Sequence, residues 1–378
     1  MLGEENNGTT IAAMNLIRSL KQKGHEVRVV CPDEDKAGEP GYYVVPKLNA
    51  GPFNHYLEKN GVRVARLERD QLEAALEGVD VVHVLLPFVL GKAAAQYAVE
   101  HDLPLTASFH CQAENITSHA FMKNFTPLNN ETYRIFYKRL YQFVDIIHFP
   151  TQFICNTFEE VVGPTEHRVI SNGVNKAFRK KTVSRPPEFA GNYTVLFTGR
   201  FSPEKSHGVL LEAVARSKHR DEIQLVLAGS GPKRDEIYDL ALKKELIPPV
   251  MNFYSRDELI DVINCADLYV HPAEIEIEAI SCLEAIACGR VPLIADSPRS
   301  ATRFFALTDA NLFHFNDPDD LAAKMDWWLE HPAEREKCSA EYLDYARRFD
   351  FDVCMGEMEQ MLFDAVAMKR HARETRSL

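Results

Sequence analysis

The sequence alternates short apolar runs with amphipathic segments over almost its whole length. Runs such as 79–86 (VDVVHVLL) and 224–228 (QLVLA) are near-continuous stretches of Val and Leu. Such runs are typical of parallel strands covered by helices on both faces, whereas half-exposed strands alternate polar and apolar residues. Strands of this kind that alternate with helices predict an α/β fold with doubly wound sheets.

A chain of 378 residues is too long for one ordinary domain. The alternation pauses in a basic, proline-containing stretch at 176–189 and resumes with an apolar run at 194–198. We therefore predict a Rossmann-like N-terminal lobe at 1–180, a linker at 181–190, a Rossmann-like C-terminal lobe at 191–350 and a helical tail at 351–378.

The first predicted element is a helix rather than a strand. A helical pattern at 10–23 ends at Gly24 and is followed directly by a predicted strand at 26–31. Because a doubly wound lobe normally opens with a strand, we expect the first strand of the N-terminal lobe to be missing.

The residue balance excludes several classes of protein. Hydrophobic residues make up 46% and charged residues 26%, which is typical of a globular chain, and the net charge of −12 argues against nucleic-acid binding. The eight cysteines form no CxxC pair, and no apolar stretch reaches the roughly 18 residues of a membrane span. We expect a cytoplasmic protein with reduced thiols and no signal segment.

Two cations follow the predicted strand at 194–198. In the segment 197–205 (FTGRFSPEK), Arg200 and Lys205 lie just after Gly199, at the carboxyl end of the strand, where open parallel sheets bind ligands. A guanidinium fork and a compact ammonium group suit a diphosphate. The alternative is that Lys205 is a solvated residue at the start of a helix, and spacing alone does not decide between the two.

Two glycines follow the next strand. Gly229 and Gly231 in 227–232 (LAGSGP) precede a predicted helix at 233–244. Glycines here allow the backbone to approach a ligand closely, but many turns between strand and helix need glycine only for their own conformation.

Four glutamates cluster after the strand at 268–271. Glu274, Glu276 and Glu278 fall on a predicted loop, and Glu284 on the helix 279–288 that follows. Carboxylates crowded by apolar neighbours are costly unless they bind a donor. Glu276 and Glu284 therefore predict a site in which two carboxylates hold separate pairs of hydroxyl groups.

Taken in order, these motifs resemble a known family. The series GR-x3-EK, AGSGP, E-x7-E and A-x-A-C-G-x-x-P resembles the retaining nucleotide-sugar glycosyltransferases of the GT-B fold, glycosyltransferase family 4. Segments 5–32, 78–87, 105–110 and 168–174 extend the likeness over the N-terminal lobe. The resemblance implies two Rossmann-like lobes facing a cleft, and it is strongest to the bacterial enzymes that glucosylate diacylglycerol.

The resemblance also implies roles for individual residues. Arg200 and Lys205 would neutralise the donor diphosphate, Glu276 would contact the transferred sugar, and His110 would lie near the sugar and the acceptor. Glu284 would bind the ribose hydroxyls. The implied donor site comprises Gly8, Thr9, Gly199, Gly229, Gly231, Glu276, Ile277, Glu278, Ala279, Ile280 and Glu284.

One departure from the family pattern concerns the donor sugar. Members usually carry a Phe-Gly pair two and three residues after the first glutamate, and here Glu278 and Ala279 stand in those places. The additional carboxylate bears on which sugar is accepted.

No metal and no cofactor are expected. The strings DPD at 317–319 and DED at 33–35 match the DxD pattern that holds a divalent cation in other transferases. Aspartate is, however, a common helix cap, and the second string lies in a polar loop. The two cations Arg200 and Lys205 make a metal unnecessary.

The acceptor is predicted from an amphipathic segment. Apolar residues of 131–144 fall on one helical stripe, with Arg134, Lys138 and Arg139 off it. Such a helix favours contact with an anionic membrane surface, to which the cations of 176–185 would add, or it packs on its own lobe. We expect transfer from UDP-glucose to a diacylglycerol-like lipid or a glycan, with the protein peripheral on the inner face of the cell membrane.

Three other functions remain as alternatives. A nucleotide-sugar 2-epimerase has the same scaffold but usually lacks E-x7-E. A Rossmann dehydrogenase needs GxGxxG after its first strand, which Gly8 alone does not supply. A non-catalytic nucleotide-sugar-binding protein would not need to keep Arg200, Lys205 and both glutamates.

Overall fold

A computed structural model describes residues 8–49, 51, 64–118, 122–187 and 189–376. The chain forms two compact units, of which the N-terminal unit comprises Met1–Asn172 with Asp352–Leu378, and the C-terminal unit comprises Gly173–Phe351. The division falls ahead of the predicted linker at 181–190, which lies wholly inside the C-terminal unit. The predicted helical tail belongs to the N-terminal unit.

The N-terminal unit alternates helices and short strands, as the apolar pattern predicts. Its elements are α1 (Gly8–Gln22), β1 (Val29–Cys31), β2 (Tyr42–Val44), α2 (Arg69–Leu76), β3 (Val82–Val84), α3 (Val89–Glu100), β4 (Leu105–Ser108), α4 (Ala113–Ser118), α5 (Thr126–Arg139), β5 (Ile146–Phe149), α6 (Gln152–Val162) and β6 (His167–Val169). Within the described residues no strand precedes α1. The apolar pattern at 62–67 also favours a strand; this segment lies partly outside the described residues, and Ala65 forms an isolated antiparallel bridge with Lys47.

The described strands of this unit form two separate parallel sheets. One contains only β1 and β2, and the other has the order β3-β4-β5-β6. In the larger sheet, every residue of β4 and β5 is buried. This agrees with helices on both faces of the sheet.

The amphipathic segment 131–144 forms the end of α5 and a following 3-10 turn. Its apolar stripe packs inward: Tyr133 and Phe136 are buried against the unit's own core, and so is Tyr141. The stripe is therefore not a membrane-facing surface, because burial against the aromatic side chain of Phe109 already satisfies it.

The C-terminal unit holds one six-stranded parallel sheet. Its elements are β7 (Tyr193–Thr198), α7 (His207–Arg216), β8 (Ile223–Ala228), α8 (Arg234–Lys243), β9 (Val250–Asn252), α9 (Arg256–Cys265), β10 (Leu268–His271), α10 (Ile280–Ala287), β11 (Pro292–Ala295), β12 (Leu312–Phe313), α11 (Pro318–Glu330) and α12 (Pro332–Tyr345). The strand order is β12-β11-β10-β7-β8-β9.

This order places a topological switch point between β7 and β10. The chain runs outward from β7 through β8 to β9, then returns to β10 on the other side of β7 and runs outward again. Two successive crossovers leave the sheet in opposite directions at this point, so the loops after β7 and β10 diverge and form a crevice at the carboxyl edge.

The C-terminal helix α13 (Phe351–Arg376) completes the N-terminal unit. Glu359 on α13 forms an ion pair with Lys23 at 2.6 Å and a hydrogen bond with His25 at 2.6 Å, both near the end of α1. Within the described residues, every helix is too short or too polar to cross a lipid bilayer.

Glycines allow the loops after β7 and β8 to pack backbone against backbone. A Cβ atom on Gly229 would lie 2.0 Å from the carbonyl oxygen of Gly199, and one on Gly231 would lie 2.5 Å from that of Phe201. The Phe201 amide donates to Ser230 at 2.8 Å across the same contact. The two glycines therefore have a packing role that needs no ligand.

The variant Gly229→Ala tests this packing. We expect it to lower the free energy of unfolding by about 2–4 kcal/mol, since the added methyl group meets a backbone oxygen that cannot rotate away. The matched control is Gly208→Ala on α7, where a Cβ meets nothing within 4 Å. The control should be neutral or stabilising by up to about 1 kcal/mol. Equal urea midpoints for the two variants would contradict the packing role.

Candidate active site

The loops after β7 and β10 bring the predicted cation and carboxylate together. A 3-10 turn at Pro203–Lys205 follows β7, and the segment 272–279 follows β10. Lys205 Nζ donates to Glu276 Oε1 in an ion pair whose side chains are 17% and 12% exposed. The pair closes over the switch point, where the lysine of GR-x3-EK meets the first glutamate of E-x7-E.

His271 is a third member of this cluster. Its Nε2 lies 3.0 Å from the same oxygen, Oε1 of Glu276, and its side chain is fully buried. Because the carboxylate can only accept, Nε2 carries the proton and Nδ1 is an acceptor.

The charges of the cluster are well defined at neutral pH. Burial acts to raise the pKa of Glu276, but the charge of Lys205 and the hydrogen bond from His271 lower it to about 2. Burial lowers the pKa of His271, against the opposing effect of Glu276. The cluster is therefore an ammonium, a carboxylate and a neutral imidazole.

A buried hydrogen-bonded chain stands behind His271. Tyr269 Oη lies 3.1 Å from Nδ1 of His271, and Thr198 Oγ1 lies 3.0 Å from Tyr269 Oη. With Nδ1 as acceptor, Tyr269 donates to His271 and Thr198 donates to Tyr269. Sequence analysis missed these three residues, because they meet only when β10 pairs with β7.

Glu274 holds the β10–α10 loop in place. Glu274 is 5% exposed and forms an ion pair of 2.5 Å with Arg299, and its amide donates to the carbonyl of Glu204 at 2.8 Å. The loop of the lysine and that of the glutamate are thus joined through backbone as well as through side chains. This gives Glu274 a structural role.

The start of α10 is strained where the family pattern has glycine. Ala279 adopts φ 61° and ψ 65°, a left-handed conformation that costs a residue with a Cβ about 1–2 kcal/mol. Glu278 is 3% exposed, Ile277 is half-buried, and α10 begins at Ile280. These four residues form the turn that leads from Glu276 into α10.

Glu284 lies in the second half of α10 and is half-buried. Burial raises the pKa of its carboxyl group to about 8, with a smaller opposing effect of Arg256. At neutral pH the group is therefore mostly protonated. A carboxyl group in such a setting gains most when hydroxyl donors reach it.

Arg200 and Gly199 lie on the loop that also carries Lys205. Gly199 directly follows β7, and its backbone lies close to that of Gly229. Arg200 is half-buried. The implied diphosphate residues are therefore on one loop, and their contact with a donor stays a prediction.

His207, which begins α7, is buried among Phe197 and Phe201, and burial lowers the pKa of its ring to about 3.

Gly8, Thr9 and His110 belong to the N-terminal unit. Gly8 and Thr9 begin α1, and His110 is half-buried two residues beyond β4. Burial lowers the pKa of His110 to about 3, with smaller effects of His148 and His83. The neutral ring can accept a proton or a hydrogen bond from a hydroxyl group.

A hydrogen-bonded chain missed by sequence analysis lies beside His110. Ser108 Oγ bridges His83 Nε2 at 2.9 Å and His148 Nδ1 at 2.8 Å, and His148 Nε2 donates to the carbonyl of Ile170 at 2.7 Å. The rings of His110 and His148 meet edge-on at 6.0 Å. Burial also lowers the pKa of His83 to about 3 and that of His148 to about 4.

The two DxD strings have structural positions. Asp317 caps α11, since its Oδ1 accepts from the amides of Asp319 and Asp320 at 3.0 and 3.1 Å. The string at 33–35 leads into a 3-10 turn, Glu34–Lys36. Among the described residues, a group with metal-ligand spacing is Cys155, Glu159 and His167 in the N-terminal unit, away from the Lys205 cluster in sequence and in unit.

Two family models together match almost the whole chain. The model described as "Glycosyltransferase Family 4" matches residues 6–178, and the model described as "Glycosyl transferases group 1" matches residues 178–342. The two matches meet at residue 178, close to the boundary between the two units after Asn172.

Curated relatives that match most of the chain are named for transfer of a sugar. A GDP-mannose-dependent α-mannosyltransferase from Corynebacterium glutamicum is 24% identical over 89% of this chain and 80% of its own length. The α-monoglucosyldiacylglycerol synthase of Streptococcus pneumoniae is 22% identical over 76% of this chain and 68% of its own length.

A solved structure supports the same fold. An Anabaena protein crystallised with UDP-glucose superimposes with a TM-score of 0.72 at 16% identity, covering 96% of this chain and 97% of that one. Its likeness to the two Rossmann-like units confirms the expected architecture. The chain therefore belongs to glycosyltransferase family 4 and is a glycosyltransferase of the GT-B fold.

Proposed function

We propose that the protein transfers glucose from UDP-glucose to a diacylglycerol-like membrane lipid, with retention of anomeric configuration and without a metal ion. The observation that carries the proposal is the cluster of Lys205, Glu276 and His271 at the switch point of the C-terminal sheet. It supplies a cation for a diphosphate and a carboxylate for sugar hydroxyls side by side.

When the donor binds, its diphosphate would replace Glu276 as the partner of Lys205. A diphosphate carries more charge than a carboxylate, so the ammonium group gains by turning to it. Glu276 stays ionised after this exchange, because His271 still donates to it, and its oxygens become acceptors for the sugar hydroxyls. The guanidinium group of Arg200, on the same loop, would donate two parallel hydrogen bonds to the leaving diphosphate.

Transfer would proceed on one face of the sugar. The bond from the anomeric carbon to the phosphate oxygen breaks as the bond to the acceptor oxygen forms, and the acceptor proton passes to the departing phosphate. Arg200 and Lys205 stabilise the charge that develops there, which is the role that a divalent cation has in other transferases. His110 would contact the sugar or acceptor hydroxyl.

The choice of donor rests on the relatives and is the finer part of the proposal. The streptococcal relative is a monoglucosyldiacylglycerol synthase, and the Anabaena structure contains UDP-glucose. GDP-mannose is a second candidate, because the corynebacterial relative is named for it. Glu278, in place of the usual aromatic residue, bears on this choice.

A lipid acceptor is favoured by the exposed face of the α5 region. Arg134, Lys138 and Arg139 are exposed there, beside the exposed apolar side chains of Ile135 and Phe143. Cations next to apolar groups suit the interface of an anionic bilayer. The linker cations support this less, since Lys180 and Lys181 pair with Glu336 and Asp261. We propose that the protein acts on the inner face of the cell membrane.

A transfer assay tests the proposal as a whole. Radiolabelled UDP-glucose or GDP-mannose is incubated in EDTA with anionic phospholipid vesicles that contain diacylglycerol or cholesterol. We expect glucose on diacylglycerol, in an α-linkage that proton NMR of the product identifies. Mannose transfer alone would overturn the donor, and glucosylated cholesterol would overturn the acceptor. A requirement for added Mg²⁺ would overturn metal independence, and UDP-mannose formed without acceptor would favour the epimerase.

The membrane surface has its own matched control. Lys138→Glu combined with Arg139→Glu should weaken co-sedimentation with anionic vesicles, whereas Lys337→Glu on an exposed face of the other unit should not. If the two variants sediment equally with the vesicles, the exposed face of the α5 region does not bind the membrane.

Arg200→Ala and Lys205→Ala test the diphosphate assignment. We expect each to lower kcat by about 10²–10³, the usual loss when a group that stabilises a leaving charge is removed. The control is Lys218→Ala, whose side chain is 70% exposed just beyond the end of α7. Circular dichroism must show that each variant is folded. Near-normal turnover in both Arg200→Ala and Lys205→Ala would contradict the assignment of these residues to the donor diphosphate.

Glu284 predicts a pH dependence of donor binding. Its carboxyl group is protonated below about pH 8 in the free protein, and two ribose hydroxyl donors would favour the ionised form. UDP-glucose binding at pH 6.5 should then release up to one proton, and affinity should rise by up to about tenfold per pH unit towards pH 8. Calorimetry in buffers of different ionisation enthalpy measures the release.

The matched variants for this measurement are Glu284→Gln and Glu341→Gln. The first removes the titrating group and should abolish proton release, whereas the second changes an exposed glutamate on α12 and should leave it intact. Proton release that persists in Glu284→Gln would show that another group is linked to binding.

A further inference from the structure

The two side chains that donate to Glu276 bind the same carboxylate oxygen. Lys205 Nζ donates to Oε1, and His271 Nε2 donates to it at 3.0 Å. From the part of the chain that the structure describes, no hydrogen bond reaches the other oxygen, Oε2. Since each carboxylate oxygen can accept about two hydrogen bonds, Oε2 is left for the hydroxyl groups of a ligand.

The two donors differ in how firmly they are held. Lys205 lies on the 3-10 turn after β7, and its ammonium group ends a flexible four-carbon chain. His271 is the last residue of β10, which lies between β7 and β11 in the sheet, and its side chain is fully buried. The lysine can therefore turn to a ligand, whereas the histidine stays in place.

The ring of His271 is fixed from its other side by Tyr269. Thr198 Oγ1 lies 3.0 Å and Ser281 Oγ lies 3.5 Å from Tyr269 Oη, so the hydroxyl oxygen of the tyrosine has neighbours that can donate to it. The single phenolic proton is then available for Nδ1 of His271, at 3.1 Å. The opposite tautomer would turn the lone pair of Nε2 towards a carboxylate. The buried hydroxyl groups therefore favour the form of His271 that donates to Glu276.

We propose that His271 is a positioning residue for sugar transfer. With its ring fixed by Tyr269, it holds Oε1 of Glu276 and aims Oε2 at the hydroxyl groups of the donor sugar. It keeps this hold when Lys205 has turned to the diphosphate, so the carboxylate does not rotate as its charged partner leaves. The inference rests on the proposed function, because it is the donor that draws Lys205 away from the carboxylate.

Glu276 needs such a partner in order to keep its charge. Burial acts to raise the pKa of its carboxyl group, whereas Lys205 and His271 lower it to about 2. Tyr269 and Cys282 also lie near this carboxyl group, and burial raises the pKa of both, so they are neutral. Once the ammonium group has moved, His271 is the group among these four that still opposes the effect of burial.

The first test needs no donor. Lys205→Ala removes the ammonium group, and carbon-13 NMR of glutamate carboxyl groups reports the charge of Glu276, whose signal is assigned by its loss in Glu276→Gln. We expect Glu276 to stay ionised near pH 7 in Lys205→Ala. It should take a proton in Lys205→Ala combined with His271→Leu, since a buried carboxylate without a donor is costly. An ionised Glu276 in that double variant would overturn the inference.

The second test measures turnover at saturating UDP-glucose, where the effect of Glu284 on donor affinity no longer matters. His271→Leu should lower kcat by about 10- to 100-fold, the loss of one hydrogen bond to a charged group. Because Glu276 must be ionised and its pKa is raised in this variant, kcat should fall further as the pH decreases through the neutral range.

A conservative variant separates positioning from packing. His271→Gln can place an amide N–H near the position of Nε2, so it should restore most of kcat and remove the added pH dependence. A role in packing alone would not depend on whether the substitute can donate. Turnover in His271→Gln as low as in His271→Leu would overturn the positioning role.

Tyr269→Phe removes one oxygen atom and tests the fixed ring even if His271→Leu does not fold. We expect kcat to fall by about two- to tenfold while UDP binds as before. The matched control is Tyr342→Phe, which removes a buried hydroxyl group that accepts from the amide of Leu307 at 3.1 Å, and kcat should not change. Equal kcat in the two variants would contradict the role of Tyr269. If the unaltered protein transfers no sugar although the NMR result is as expected, the proposed function is wrong and the pairing of His271 with Glu276 stands.

Discussion

One largely buried carboxylate, that of Glu276, ties the ends of β7 and β10 together in the C-terminal unit. A carboxylate at this depth is stable only with donors on it, and Lys205 and His271 provide them from the ends of β7 and β10. Those strands are neighbours because the chain reverses its direction of winding between them. The close glycine contact between the β7 and β8 loops and the ion pair of Glu274 with Arg299 hold the same loops in place.

The two units differ in their buried polar groups. The C-terminal unit carries charges of both signs on a complete six-stranded sheet, whereas the N-terminal unit carries a chain of neutral histidines around Ser108. Burial lowers the pKa of His83 and His148, so both rings are neutral at physiological pH. Their nitrogens are bonded to Thr106, Ser108 and the carbonyl of Ile170.

The fold could be predicted because parallel strands and their helices have strong apolar patterns, and the motifs GR-x3-EK and E-x7-E could be located because their spacing is local. The partners of Glu276 could not be found in this way. Tyr269 and Thr198 lie on different strands and meet only through the pairing of β10 with β7. The apolar stripe at 131–144 predicts a helix correctly as far as Arg139, but a helical pattern does not say which surface covers it. The strand β2 escaped prediction because three residues bounded by glycine and proline carry little periodicity.

The exchange of Lys205 from carboxylate to phosphate is the central claim, and a crystal structure with UDP bound in EDTA tests it most directly. The account predicts that Lys205 Nζ lies within hydrogen-bond distance of the diphosphate, and that Glu276 has lost the lysine but kept His271. A bound nucleotide with the Lys205–Glu276 pair still intact, or with its phosphates away from Arg200 and Lys205, would contradict it.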